Sequence, residues 1–185
     1  MRRVRSRNSD GAALVEFALV MPIVLLVVLG ILETGIAFRD FLGVSNAAKE
    51  GVRVLTSMGD DPLTDCVALA KTYSALSGGV PVSHLQTIEI FRADSSGNQI
   101  EADTNEYRLQ SGGDPNDCGH WTQVRYGWDP LDRKVVVGGP DPLDIAGVRI
   151  VFTHPWITGF PPFRGGFTIN EATVSRLEPE EYFRP

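Results

Sequence analysis

An uncharged apolar run near the N-terminus limits what this chain can fold into more than any other part of its sequence. From Phe17 to Leu32 the sequence is FALVMPIVLLVVLGIL, and from Ala12 to Leu32 the only charged residue is Glu16. A helix needs about 20 largely apolar residues to span the hydrocarbon core of a bilayer, at about 1.5 Å per residue. A buried helix of a soluble protein seldom has apolar side chains on all of its faces. The run therefore predicts a transmembrane helix.

The charges on either side of the run predict its orientation. Four arginines precede it: Arg2, Arg3, Arg5 and Arg7. The first ten residues have a net charge of +3, so the rest of the chain, out of a total of −6, has −9. Positively charged flanks stay in the cytoplasm, which places residues from about Arg39 onward outside it. A chain with an acidic excess also lacks the basic surface of a nucleic-acid-binding protein, so no nucleic-acid partner is expected.

A cleaved secretory signal is the main alternative to a retained transmembrane helix. It would require a small-x-small arrangement after the apolar stretch, and the segment Gly30–Gly35 matches that arrangement poorly. Two residues inside the run also distinguish it from a plain anchor. Glu16 places a carboxylate in apolar surroundings, where an ionisable residue indicates function, and Pro22 loosens or kinks a helix.

The residues around Glu16 resemble the processing site of type IVb prepilins. A basic leader ends at Gly11, glutamate is the fifth residue after this glycine, and the aromatic Phe17 follows. The longer run GAALVEFALVMPIVLLVVLGILETGIAF is similar to the TadE-like domain of Tad (tight adherence) pilus pseudopilins, and SNAAKEGVR resembles the block that closes this domain. The resemblance is close over residues 11–54 and weaker at the C-terminus, in VRIVFTHPWITGF and TVSRLEP. TadE, TadF and TadG-type proteins share the domain.

The resemblance implies a minor pilin or pseudopilin that acts in the assembly of a Tad-type pilus or a related secretion apparatus. A prepilin peptidase would cleave between Gly11 and Ala12 on the cytoplasmic side. The N-terminal helix would hold the subunit in the lipid of the inner or plasma membrane, and would then pack against other pilins and pseudopilins. Glu16 would meet the N-terminal amine of a neighbouring subunit; the alternative is that its carboxylate only reaches the lipid headgroups. The chain would be a substrate of the peptidase and not itself an enzyme.

The apolar pattern continues beyond Leu32 as one face of the same helix. Its members recur at steps of three and four: Phe41, Val44, Ala48, Val52 and Leu55. We therefore expect one helix from about Ala12 to Ser57, with Asp40 among the charged residues on the opposite side. A neighbouring line of small residues consists of Gly43, Ala47 and Gly51. It is open to two interpretations: close approach of a neighbouring backbone, or packing of a sheet against the helix.

A second helix is predicted after a break at Gly59–Pro62. Asp61 is a suitable N-cap and Pro62 a suitable first residue for a helix that ends at about Ser77. Beyond it, apolar and polar residues alternate in five short segments that predict strands: Thr87–Arg92, Val124–Trp128, Val135–Val137, Val148–Phe152 and Thr168–Leu177. Asp94–Asn98 is predicted as a turn and Thr104–Gly119 as a loop.

This order of elements predicts an α+β, pilin-like fold. A long N-terminal transmembrane helix would continue into a small extracytoplasmic domain with a second helix and an antiparallel sheet of about four strands. The predicted organisation is a basic cytoplasmic leader (1–11), a transmembrane helix (12–33), a helix extension (34–58), an extracytoplasmic α+β domain (59–178) and a flexible tail (179–185).

The sequence contains none of the familiar catalytic, phosphate-binding or zinc-protease motifs. Its three histidines are far apart, and none has metal-ligand spacing with another histidine or a cysteine. We therefore expect no catalytic residue, no metal site and no cofactor. Cys66 and Cys118 both fall in the segment assigned to an oxidising compartment, where two cysteines usually pair. A disulfide between them would tie the second helix to the loop before the Val124 strand.

A second class of function is open at this point. The chain could be a permanently anchored, single-pass envelope protein whose external domain binds a ligand. The segment Pro155–Gly166 offers Trp156, Phe160 and Phe163 for such a surface. The N-terminus of the mature protein distinguishes the two classes, because only a pilin would lose its leader. An anchored hydrolase would need a catalytic constellation that the sequence does not show.

Overall fold

The computed structural model describes residues 8–136, 142–159, 161 and 163–179. It contains helix α1 (Asn8–Met58), helix α2 (Thr64–Ser77) and five strands: β1 (Leu85–Ala93), β2 (Gln99–Leu109), β3 (Trp121–Arg125), β4 (Ile145–Pro155) and β5 (Gly166–Arg176). Three single turns of 3₁₀-helix lie between them: Val82–His84, Cys118–His120 and Pro130–Asp132. The predicted α+β class, with a long N-terminal helix followed by a second helix and an antiparallel sheet, is confirmed.

The five strands form one antiparallel sheet in the order β3-β2-β1-β4-β5. Both helices lie on the same face of it. Helix α1 contacts β4 and β5, while α2 reaches β2 through Asp65 and Tyr107 and reaches β3 through the rings of Tyr73 and Trp121. The sheet therefore has one covered face, which is the arrangement expected when an antiparallel sheet packs on helices.

The apolar face of α1 supplies the centre of the core. Val44, Ala48, Val52 and Leu55 are fully or almost fully buried together with Ile88 of β1 and Ile150 of β4, whereas Phe41 at the start of the predicted stripe remains exposed. The line of small residues also packs inside the chain. A methyl group on Gly51 would collide with Thr72 of α2, and one on Gly43 would lie 2.7 Å from Cγ1 of Val80. These glycines allow α2 to approach α1 closely.

The start of the second helix differs from the prediction. Helix α2 begins at Thr64, with Leu63 in the capping position. The Asp61 carboxylate accepts a hydrogen bond from the Leu63 amide (2.7 Å), and the Asp61 carbonyl accepts one from the Thr64 amide (3.0 Å). Asp61 thus stabilises a turn before the helix, and Pro62 lies in this turn instead of at the first helical position.

The predicted loop Thr104–Gly119 is wrong over its first six residues. Strand β2 extends to Leu109 and pairs with β1, with Asn105 opposite Ile90 and Tyr107 opposite Ile88. The segment has few apolar residues because the buried positions of β2 carry polar side chains whose partners lie elsewhere in the fold. The Asn105 side chain, for example, donates to Asp65 (2.9 Å) and to the carbonyl of Trp128 (2.7 Å).

Two other predicted strands are shorter than expected. Strand β3 ends at Arg125, because the amides of Gly127 and Trp128 donate to the Asn105 side-chain oxygen rather than to a neighbouring strand. Of the predicted strand Val135–Val137, Val136 forms an isolated bridge, and Val137 lies outside the described residues. The predicted turn at Asp94–Asn98 is present, and the Asp94 carboxylate accepts from the amides of Ser96 and Asn98.

Candidate functional site

The N-terminal half of α1 extends away from the folded domain. The helix is 51 residues long, and an 18-residue window within it has a mean hydropathy of 2.8 with none of its residues buried. In the described part of the chain it is the one helix long and apolar enough to cross a membrane. A continuous apolar surface of this extent is unfavourable in water, whereas lipid or other apolar helices can cover it. This half of α1 is therefore a candidate membrane-spanning segment.

The residues of the predicted processing site lie within the first three turns of α1. The structure places Gly11, Ala12 and Glu16 on the helix with exposed positions. Apart from the adjacent backbone of the helix itself, no atom of the described residues lies within 4 Å of where a Gly11 side chain would begin. Ala12 and Glu16 are four residues apart and so share a helix face. In the part of the chain that the structure describes, no cationic side chain pairs with Glu16. The basic leader residues Arg2, Arg3, Arg5 and Arg7 lie outside the described residues.

A carboxylate marks the level at which α1 meets the rest of the fold. Glu33 follows directly after the apolar run and is only 1% exposed. Its two oxygens accept hydrogen bonds from the amides of Ile157 (3.2 Å) and Thr158 (2.5 Å). These amides belong to the segment between β4 and β5, so Glu33 satisfies loop amides that have no strand partner. The contact attaches the loop to α1 at Glu33, one residue beyond the apolar run.

A second acidic residue lies two helical turns further along the same face. Asp40 is 2% exposed, and one of its oxygens lies 2.7 Å from Nδ1 of His154, which is 1% exposed. Its other oxygen accepts from the guanidinium of Arg39 (2.7 and 3.1 Å). The sequence-based placement of Asp40 on the solvent side is therefore wrong. Strand β4 covers this side of α1, and His154 provides the polar partner that makes burial of the carboxylate tolerable.

A cluster of aromatic rings adjoins the His154 ring. Trp156 lies 5.3 Å from the His154 ring, 5.1 Å from Phe163 and 5.2 Å from Phe167, measured between ring centroids. The Phe163 ring in turn lies 3.6 Å from where a side chain at Gly30 would begin. Two of the three residues of the predicted ligand-binding surface, Trp156 and Phe163, thus pack on each other, and Phe163 also lies against α1. The third, Phe160, lies outside the described residues.

Sequence reasoning missed the roles of Glu33, Asp40 and His154. The spacing of seven residues between Glu33 and Asp40 places both carboxylates on one helix face, and this was the available signal. It could not show that a strand more than 110 residues later supplies the partner, since Asp40 and His154 are separated by 114 positions.

Cys66 and Cys118 form the predicted disulfide, with their Cα atoms 5.4 Å apart. It joins α2 to the 3₁₀ turn before β3, as expected. Beside it, Asp65 accepts hydrogen bonds from Tyr107 (2.8 Å) and Asn105 (2.9 Å) and pairs with the buried guanidinium of Arg133. The disulfide and this buried network hold α2 against β2 and the segment after β3.

The described residues do not converge on a metal site. No group of three His, Cys, Asp or Glu side chains that could hold a metal ion occurs within them. Near the disulfide, the Asp114 and Asp117 carboxylates accept hydrogen bonds from the amides of Asn116 and Gly119, and the His120 ring accepts from the Asp114 amide. These side chains stabilise turns. The feature that stands out as functional is therefore the surface of α1.

Comparison with known families finds a similarity over this helix. The family model for TadE-like proteins matches residues 11–53. The match begins at Gly11, includes Glu16, Glu33 and Asp40, and ends within the part of α1 that enters the core. Searches among curated proteins and among solved structures each returned no match.

Proposed function

Because residues 11–53 form a TadE-like segment, which supports a protein associated with the Tad pilus, we propose that the chain is a minor pilin or pseudopilin of this system. In this proposal a prepilin peptidase removes the leader after Gly11, and the mature subunit acts in pilus assembly through its N-terminal helix. The observation that carries the proposal is the exposed, apolar surface of α1, with Gly11 and Glu16 accessible near its end.

The local structure around Gly11 suits cleavage. A protease holds its substrate as an extended backbone, so a helical site must first unwind. Gly11 lies three residues after the start of α1, where helix ends fray. Glycine is about 1 kcal/mol less favourable than alanine in a helix interior, and the absence of atoms near Gly11 leaves its backbone open. Unwinding the first turn of α1 would therefore cost little free energy.

The same surface suits two successive environments. Before assembly, α1 would lie in the inner or plasma membrane with its N-terminus in the cytoplasm and the domain outside, as the arginines of the leader predict. During assembly the apolar faces would exchange lipid for the helices of other pilins and pseudopilins. Both environments are apolar, so a helix with apolar side chains on all sides can move between them without exposing that surface to water.

Glu16 would contribute the specific contact in this exchange. Cleavage creates an α-amine on Ala12, on the same helix face as Glu16. A carboxylate in apolar surroundings is unfavourable unless a positive group meets it. Since no cationic side chain of the described chain pairs with Glu16, we expect the amine of a neighbouring subunit to do so. This contact would set the register between subunits.

The proposal is tested by the mass and N-terminal sequence of the protein from membranes that contain its peptidase. We expect a mature chain that starts at Ala12 and has 174 residues, which is 185 minus the 11 of the leader. A Gly11→Leu variant should keep its leader because the bulky side chain blocks the peptidase. Gly35→Leu is the matched control: this glycine is also on α1, with no atom within 4 Å of its side-chain position, and its substitution should leave cleavage unchanged.

An intact leader on the wild-type chain, in cells that assemble their pili, would contradict the proposal. It would favour the permanently anchored envelope protein instead. Cleavage at another position, followed by loss of α1 from the membrane fraction, would indicate a secretory signal.

A further inference from the structure

We propose that the segment between β4 and β5 makes a second contact with the membrane, at the headgroup boundary of the lipid in which α1 is embedded. The segment, here called the aromatic loop, comprises Trp156–Gly159, Pro161 and Phe163–Gly165 among the described residues. This inference depends on α1 spanning the membrane and does not depend on leader cleavage or on pilus assembly.

The height of the aromatic loop on α1 carries the inference. The apolar run Ala12–Leu32 has a length of about 31 Å as a helix, close to the hydrocarbon thickness of a bilayer, about 30 Å. When this run fills the hydrocarbon core, Gly30 and Glu33 lie at its outer boundary. The aromatic loop is attached at that level, through Phe163 beside Gly30 and through the hydrogen bonds from Ile157 and Thr158 to Glu33.

The side chains of the aromatic loop match this position. Ile157 is 66% exposed although it is apolar, and Trp156 beside it is of the type that concentrates at the membrane–water boundary. Phe163 lines an open apolar groove together with residues of α1 that include Val27, Ile31 and Phe38. The groove is continuous with the exposed surface of the apolar run, so the acyl chains that surround α1 would also fill the groove.

The charge of the segment points to phospholipid rather than to an apolar protein partner. From Pro155 to Asn170 the sequence contains no acidic residue and one basic residue, Arg164. The rest of the chain after the leader is strongly acidic. Arg164 is exposed in the aromatic loop, where its guanidinium can meet lipid phosphates at the level at which the apolar side chains end.

The backbone of the aromatic loop is also prepared for an environment with little water. Glu33 accepts the amides of Ile157 and Thr158, and the Trp156 amide donates to the carbonyl of Gly165 (3.1 Å). Unpaired amides would oppose insertion near the hydrocarbon. Because these three amides are paired within the fold, they can approach the boundary without giving up hydrogen bonds to water.

Site-directed labelling of the full chain in vesicles tests the inference. An Ile157→Cys variant is labelled with an environment-sensitive fluorophore and inserted into vesicles of phosphatidylethanolamine and phosphatidylglycerol. The native cysteines are paired with each other, so the new thiol is the one that reacts. Leu131→Cys is the matched control, because Leu131 is also apolar and 66% exposed but lies in the Pro130–Asp132 turn. Val24→Cys reports insertion of α1.

We expect lipid-borne quenchers to reach the labels at positions 157 and 24, and a water-soluble quencher to reach the label at 131 several-fold more effectively than the label at 157. Equal aqueous quenching at 157 and 131 would overturn the second contact while leaving the span of α1 intact. Efficient quenching of the label at position 24 by the water-soluble quencher would overturn both the second contact and the span of α1. Protection at 157 that disappears when the protein is diluted in lipid would overturn the lipid contact and indicate a second copy of the chain as the occupant.

The role of Arg164 has its own test. In the Ile157→Cys background, Arg164→Glu should reduce lipid quenching of the label in vesicles that contain phosphatidylglycerol, because a carboxylate replaces the guanidinium near lipid phosphates. Arg176→Glu, at an exposed position near the end of β5, is the control for charge alone and should not change the signal. Equal signals from both charge variants would overturn the phosphate contact of Arg164.

Discussion

At the scale of single residues, the buried contact between Asp40 and His154 joins the long helix to the sheet. Replacing Asp40 by alanine would leave the buried His154 ring without its acceptor, whereas the exposed Arg39 guanidinium could turn to water. Leaving a buried polar group unsatisfied costs about 1–3 kcal/mol. We expect Asp40→Ala to lower the free energy of unfolding by about this amount, and Asp40→Asn, which keeps an oxygen acceptor, to lower it less.

The measurement is denaturant unfolding of the full chain in a mild detergent, with tryptophan fluorescence as the signal that monitors unfolding. Wild-type stability for Asp40→Ala would show that the contact does not stabilise the fold.

The Tyr107 hydroxyl gives a prediction for alkaline pH. Burial raises the pKa of Tyr107 above its usual value, and the neighbouring Asp65 carboxylate raises it further. A folded-state pKa above the unfolded value means that this stabilisation is complete below about pH 10 and is lost as the pH rises beyond it. Wild-type protein should therefore lose more unfolding free energy between about pH 9 and about pH 11 than Tyr107→Phe does.

Groups that titrate in both wild type and Tyr107→Phe contribute equally to the two pH profiles, so their effect cancels in the difference. One such group is Tyr126, whose pKa is raised to about 12 by its hydrogen bond to Asp129. Parallel pH profiles for the two chains would contradict the role assigned to Tyr107.

At the scale of the elements, the disulfide attaches α2 to the segment before β3. The bond closes a loop of 52 positions, for which a chain-entropy estimate gives a stabilisation of about 4 kcal/mol. A double Cys66→Ser, Cys118→Ser variant should lose up to this amount in denaturant unfolding, with α1 still in the membrane fraction. Thiol labelling of the unreduced, unfolded wild-type chain should find no free cysteine, and two labelled thiols would contradict the pairing.

Elements with apolar periodicity could be predicted from sequence, because such a pattern reports burial directly. The stripe Val44, Ala48, Val52 and Leu55 predicted the face of α1 that enters the core, and the alternation Val148, Ile150, Phe152 predicted β4. The glycines beside that stripe admitted two interpretations until the position of α2 was known.

Elements whose burial depends on distant polar partners could not be predicted in this way. The second half of β2 carries Thr104 and Asn105 at buried positions, and Asn105 bonds to Asp65, 40 residues earlier. A local window contains only the polar residues and indicates a loop. The contact between the aromatic loop and α1 could not be predicted for the same reason, since Glu33 and Thr158 are 125 residues apart.

At the scale of the whole molecule, Glu16 would act between subunits rather than within one. Glu16→Gln removes the charge and keeps the shape of the side chain, so we expect normal membrane insertion and near-normal cleavage after Gly11. Association with partner pilins should weaken, because the amide cannot form an ion pair with the neighbour's N-terminal amine. Co-purification of partner pilins and counts of assembled pili measure this effect, with Glu50→Gln on the outer part of α1 as a control.

Full assembly with glutamine at position 16 would show that the charge is dispensable. The carboxylate would then do no more than reach the lipid headgroups.

The continuity of α1 has a mechanical consequence. One helix, about 75 Å long, passes from the apolar run into the centre of the core without a linker. An axial force on the apolar run is therefore borne by the interior packing of the folded domain, and rotation of the helix rotates the sheet with it. The chain can yield where Pro22 leaves one carbonyl of the helix without its amide partner. The folded domain and the second half of α1 therefore move together, and α1 bends most easily at Pro22, within the apolar run.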